Sequence, residues 1–196
     1  MKTILAVGML AMCGLVMAGN SARAEETAAP SAQEIAAQPK LVVAAIQKLN
    51  AEDSAAIVTQ ALTAVLASDW PEAKKREQII ALITYAVAAK GHKAGPMMRI
   101  VASGVPAAWL PLVAATAVVA AGDNSPAIAA AMLEAVAGDA ALVEACRAAC
   151  ANPSSVLSPT EIGIIRGIIL PSPSAAPAKA PPLPTIIRGA ERYSGQ

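Results

Sequence analysis

The chain has 196 residues, of which 56% are hydrophobic but only 2% aromatic, with no Phe, so alanine fills much of the apolar share. Its 15 basic and 14 acidic residues nearly cancel, and charge therefore gives no reason to expect a nucleic acid or an anionic membrane as partner. Alanine is the strongest helix former and a poor strand former, which points to an all-α body and away from sheet folds.

The first element is a leader. Met1-Lys2 supplies a positive start, Thr3 to Gly19 is an uncharged apolar run, and Ala22-Arg23-Ala24 puts small residues at both positions read by a signal peptidase. Residues 1–24 thus read as a signal peptide, with export to the periplasm or outside the cell. Two rival readings stay open. Cys13 after Leu10-Ala11-Met12 half-matches a lipid-attachment site, with Met12 where a small residue belongs. The apolar run also nearly reaches the roughly 20 residues that span a bilayer. Removing the first 24 of 196 residues leaves 172, enough for one domain with a buried core.

Residues 25–170 form the body, punctuated at regular places. Ser31 with Glu34 is a capping-box pattern, Pro39 restarts the chain, and Val42, Ile46 and Leu49 recur at helical spacing. Asp53 or Ser54 is expected to cap the next helix, whose stripe is Val58, Leu62 and Val65. Asp69, Pro71 and Glu72 signal the start of the longest helix, which faces Ile80, Ile83 and Val87 inward and ends at Gly91 in a left-handed turn. Lys74-Lys75-Arg76 with Lys90, Lys93 and Arg99 makes a modestly basic middle, diluted by Glu72 and Glu77, and reads as a solvated helix face. Breaks follow at Gly95-Pro96, Gly104 with Pro106, Gly122 to Pro126, Gly138-Asp139 and Asn152-Pro153, and Ser158 to Glu161 opens the last helix. Eight or nine short antiparallel helices result. They suit either an irregular multi-helix bundle or a HEAT-like helical array, because no consensus residue repeats.

Four features bear on chemistry. Ile100 to Gly122 carries no charge over 23 residues; its length permits a membrane span, but Gly104, Pro106, Pro111 and the alanines favour burial in the core. Cys146 and Cys150 are four apart on one helix, where Cβ atoms about 6 Å apart exceed the ~3.8 Å a disulfide needs; a strained disulfide, buried thiols or bonds to another chain are the readings, with buried packing favoured. His92 lies in a basic loop, and Ser103 or Ser125 with Asp123 is the triad it would need, although nothing fixes that geometry. Gly163 and Gly167 sit four apart in an isoleucine-rich helix, which suggests a close contact with a neighbouring helix. No cofactor fingerprint is present, and one His far from the two cysteines makes no metal site.

The tail, residues 171–196, differs in kind. Six prolines between Pro171 and Pro184 predict a disordered, extended spacer. It leads to Ile186, Ile187, Arg188 and Tyr193, candidates for a short docking peptide. Together these features describe an exported, non-enzymatic helical protein acting through contacts with a protein partner, its identity unspecified by the sequence. A membrane-associated protein using residues 100–122 is the alternative, and a hydrolase using His92 the third reading. N-terminal sequencing of exported material should return Glu25 as the first residue; a lipid-modified Cys13 or an intact Met1 would overturn the processing expected here.

Overall fold

The structure, a computed structural model, describes residues 29–170. Among these residues there are nine α-helices and no strand: α1 (Ala32–Ala37), α2 (Leu41–Ile46), α3 (Ala51–Ala67), α4 (Glu72–Lys90), α5 (Ala94–Gly104), α6 (Leu110–Ala121), α7 (Ser125–Ala135), α8 (Ala140–Ala151) and α9 (Pro159–Ile169). The body is an all-α irregular bundle. The leader and the tail, with Ile186, Ile187, Arg188 and Tyr193, lie outside the described residues.

Local chemistry fixes the helix starts. Ser31 and Glu34 form the reciprocal capping box at α1, with the Ser31 amide 2.7 Å from Glu34 Oε2, and Ser158 and Glu161 repeat it at α9. The cap of α3 falls earlier than expected. Asn50 accepts from the Asp53 amide at 2.8 Å, while Ser54 turns its hydroxyl back to the Asn50 carbonyl.

Helices two apart in the chain pack side by side. α1, α3, α5 and α7 form one layer, and α2, α4, α6 and α8 form the second. This is the order of stacked helical pairs, but helix lengths from 6 to 19 residues make it irregular. α9 breaks the order outright by lying across α4 and α6. At the centre is α6, buried all round through Leu110, Leu112, Val113, Thr116 and four alanines. The expected apolar segment is accordingly divided: Val101, Ala102 and α6 go into the core, whereas Ile100, Ser103, Gly104 and Pro106 to Ala108 are exposed. Among the described residues, the run Ala107–Ala135 is long and apolar enough to cross a membrane by length and composition, but the turn at Gly122 splits it into α6 and α7.

Two corners share one backbone solution. Gly91 after α4 has φ 52°, ψ −125°, and Gly122 after α6 has φ 55°, ψ −118°. Each leads through a single 3₁₀ turn into the next helix. The φ is positive as expected, but ψ lies in the mirror image of the extended region and not in the left-handed helical one, a place still less open to a side chain. Gly163 and Gly167, by contrast, have nothing within 4 Å of an added Cβ. The close contact expected there is absent; a close approach occurs at Gly104, near Thr59 of α3, while Gly95 is in ordinary contact with Ala127 and Ala131 of α7.

Gly91→Ala and Gly122→Ala should each cost about 1–3 kcal/mol. Gly163→Ala and Gly167→Ala should stabilise by up to about 1 kcal/mol each, because alanine is the better helix former and meets no obstacle. Urea denaturation of the four variants gives the sign at each position.

Candidate functional site

An open groove runs between α3 and α5. Ala56, Thr59, Gln60 and Thr63 line it from α3 at helical spacing, Ile100, Ser103 and Gly104 line it from α5, and Glu52 stands at one end; its volume is about 650 Å³. The helices come closest at Gly104, where an added Cβ would sit 2.9 Å from Thr59 Cγ2. Ile100 is 37% exposed and supplies the large apolar surface. Thr63 Oγ1 donates to the Thr59 carbonyl at 2.9 Å and Ser103 Oγ to the Arg99 carbonyl at 3.2 Å. Both hydroxyl protons are therefore committed, leaving oxygen lone pairs toward solvent. These oxygens can accept from a ligand that brings donors, and the Gln60 amide and Thr59 hydroxyl on the same wall can donate. From Glu52 to Thr63 the helix rises about 16 Å, the length of about five extended residues.

A second concavity unites Trp70 and Trp109 with Glu72 and Lys75. Nothing in the sequence joins the two tryptophans into one site. The available signal was positional: each Trp lies just ahead of a proline at the start of a second-layer helix, in Trp70-Pro71 and Trp109-Leu110-Pro111. Helices two apart in an up-and-down array run parallel, so these starts share one edge.

The other sequence candidates do not converge. His92 is exposed on the corner between α4 and α5. Ser103 lies at the opposite end of α5, in the groove, whereas Asp123 and Ser125 belong to the next corner and to α7. Cys146 is buried and Cys150 half-buried on α8, both as free thiols. Burial raises the Cys146 pKa, and burial together with neighbouring Cys146 pushes Cys150 up to about 11. Both thus stay protonated at neutral pH and are poor nucleophiles. Among the described residues no cluster of three or more His, Cys, Asp or Glu could hold a metal ion.

The basic middle is a solvated face only in part: Lys74, Lys93 and Arg99 are exposed as expected, whereas Lys75, Arg76 and Lys90 reach into neighbouring elements. Lys75 Nζ donates to the Leu66 carbonyl of α3 at 2.8 Å, and Lys90 Nζ donates to the carbonyls of Ile46, 2.8 Å, and Leu49, 2.5 Å. Arg76 pairs with Glu161 of α9 at 2.5 Å and also donates to the Val156 carbonyl. The Glu161 pKa is raised by desolvation, but hydrogen bonds from Arg76 and Ser158 outweigh this and bring it below the ordinary carboxylate value. By contrast, the Arg99–Glu134 pair, 3.0 Å, is exposed on both sides.

No protein-family model, curated protein or solved structure matches this chain. Function must be argued from the surfaces themselves.

Because the folded Glu161 binds its proton less readily than the unfolded one, its contribution is complete above about pH 5 and fades as pH falls through its lowered value. Arg76→Ala should cost about 1–3 kcal/mol at pH 7 and less at pH 3. Arg99→Ala should cost under about 0.5 kcal/mol at either pH. Chemical denaturation of both variants at the two pH values checks the contrast.

Proposed function

We propose that this is an exported, non-enzymatic helical protein that works through protein contacts, holding an extended peptide in the α3–α5 groove. The observation that carries the reading is the lining of that groove, which pairs the apolar Ile100 with acceptor oxygens and the Glu52 carboxylate. An extended strand of peptide offers backbone N–H groups to such acceptors and alternate side chains to the apolar floor. The occupant we assign has aliphatic residues next to a basic one, to match Ile100 and Glu52. The chain itself contains a segment of this kind in Ile186, Ile187 and Arg188, with Tyr193 beyond, and its proline-rich spacer suits presentation of that segment to a groove on a second molecule.

A membrane-associated role is the second reading, supported by the length and hydropathy of Ala107–Ala135. Its test is simple: the chain lacking residues 1–24 should stay in the supernatant with lipid vesicles, and co-sedimentation would favour the membrane.

Truncation after Leu170 should leave helical content unchanged and the melting temperature within about 2 °C. A labelled peptide spanning Thr185 to Tyr193 should then bind the truncated protein, and Ile100→Asp should weaken it by at least about tenfold. Fluorescence anisotropy reads both. Equal binding by wild type and Ile100→Asp would remove the groove from the reading, and no binding would remove the peptide.

A further inference from the structure

The helix that the layer order does not place is also lightly attached. α9 buries one residue completely, Ile165, out of 11, against eight of 12 for α6. Its chief neighbours are α4 and α6, and between it and α4 a gap of about 190 Å³ stays open, lined by Ala73, Glu77 and Ile80 on one side and by Glu161 and Ile164 on the other. We infer that α9 is a strap that lifts from α4 and α6 as one unit, about the Leu157–Ser158 junction, while α1 to α8 stay folded.

The polar attachment is concentrated in one side chain. Among the described residues, the hydrogen bonds that join α9 to another helix come from Arg76, whose Nε donates to Glu161 Oε1 at 2.5 Å and whose Nη2 donates to Oε2 at 3.3 Å. The same Nη2 donates to the Val156 carbonyl, so one guanidinium clamps both the chain ahead of the junction and the strap beyond it. Leu157 is 1% exposed and anchors the fixed side. Ser158 is exposed, and a position at the end of an element, free of packed side chains, is where a hinge absorbs a change of direction. Its capping box with Glu161 lies wholly on the moving side, so the helix keeps its start when it lifts.

The apolar attachment is thin. Gly163 and Gly167 contribute no side chain and have nothing within 4 Å of an added Cβ. Ile164 and Leu170 are 40% and 72% exposed, and Ile162 and Ile169 are only partly buried against the core. Few buried apolar contacts mark the segments that open well below the free energy of global unfolding. Lifting α9 uncovers Ile80 on α4 and Ile165 on α9 itself, neither more than 1% exposed in the closed fold. The protein thereby gains an apolar face that its closed state lacks, the kind of surface that serves as an interaction site. The inference is independent of the peptide groove, which lies on α3 and α5.

Native-state hydrogen exchange on the full-length protein tests the strap. The amides of Ile162 to Leu170 should share one level of protection, at least about 100-fold below that of Val113 to Ala120 in α6. Sub-denaturing urea should erode the protection of α6 and hardly change that of α9, because lifting exposes little surface. Arg76→Ala should lower α9 protection by about tenfold. Met132→Ala, a truncation in the buried part of α7, should lower α6 protection and leave α9 unchanged, since the lifted and closed forms share that core. Should this variant fail to fold, the urea dependence of the unsubstituted chain decides. The proposal is overturned by equal protection and equal urea response in α6 and α9, by protection that falls off gradually from Ile162 to Leu170 as in ordinary fraying, by unaltered α9 protection in Arg76→Ala, or by α9 following α6 in Met132→Ala.

Discussion

Everything in this bundle depends on how closely its helices can approach α6. That helix buries Ala114, Ala115, Ala117 and Ala120 along with its larger residues, and it is in contact with α4, α7, α8 and α9. Short side chains let these neighbours approach toward the lower end of the usual 8–10 Å spacing, and cohesion then comes from many short contacts in place of a few large anchors. Thr116 sits in the same core with its hydroxyl unpartnered, at a cost on the order of 1–3 kcal/mol that the surrounding packing offsets.

The second organising element is α4, which ties elements together with charged ends of long side chains. Lys75 closes on α3, Lys90 on the α2 end, and Arg76 on α9. Cations at helix C-terminal carbonyls satisfy acceptors that the helix leaves open and complement its dipole. Desolvation, with Lys93 nearby, lowers the Lys90 pKa, which is the electrostatic trace of that insertion. Because α4 is tied at both ends, the groove on α3 and α5 and the cleft at the start of α4 rest on a fixed frame.

How much of this was legible from sequence varies with the range of the interaction. Local signals were read well: the capping boxes at Ser31 and Ser158, the long helix from Glu72, and the need for glycine at position 91 follow from chemistry within four residues. Asn50 was passed over because Asp53 and Ser54 are also good caps, and only the backbone decides among them. Pairings between remote segments were not legible. Nothing adjacent to Lys75 or Arg76 marks Leu66 or Glu161 as partners, so the cluster looked like an ordinary wet face. The glycines of α9 misled for a related reason: the helix turns a different stripe, centred on Ile165, toward α4 and α6. The α3–α5 groove and the tryptophan cleft are each assembled from two helices, and such concavities exist only once the layers stack.

The position of α9 carries a mechanical consequence. The described chain enters through α1 and α2 and leaves through α9, and both α2 and α9 pack on α4. Since α1 packs chiefly on α3 of the first layer and α9 on α4 and α6 of the second, a pull between residues 29 and 170 loads both layers of the bundle at once, with the Arg76–Glu161 pair among the links that hold α9.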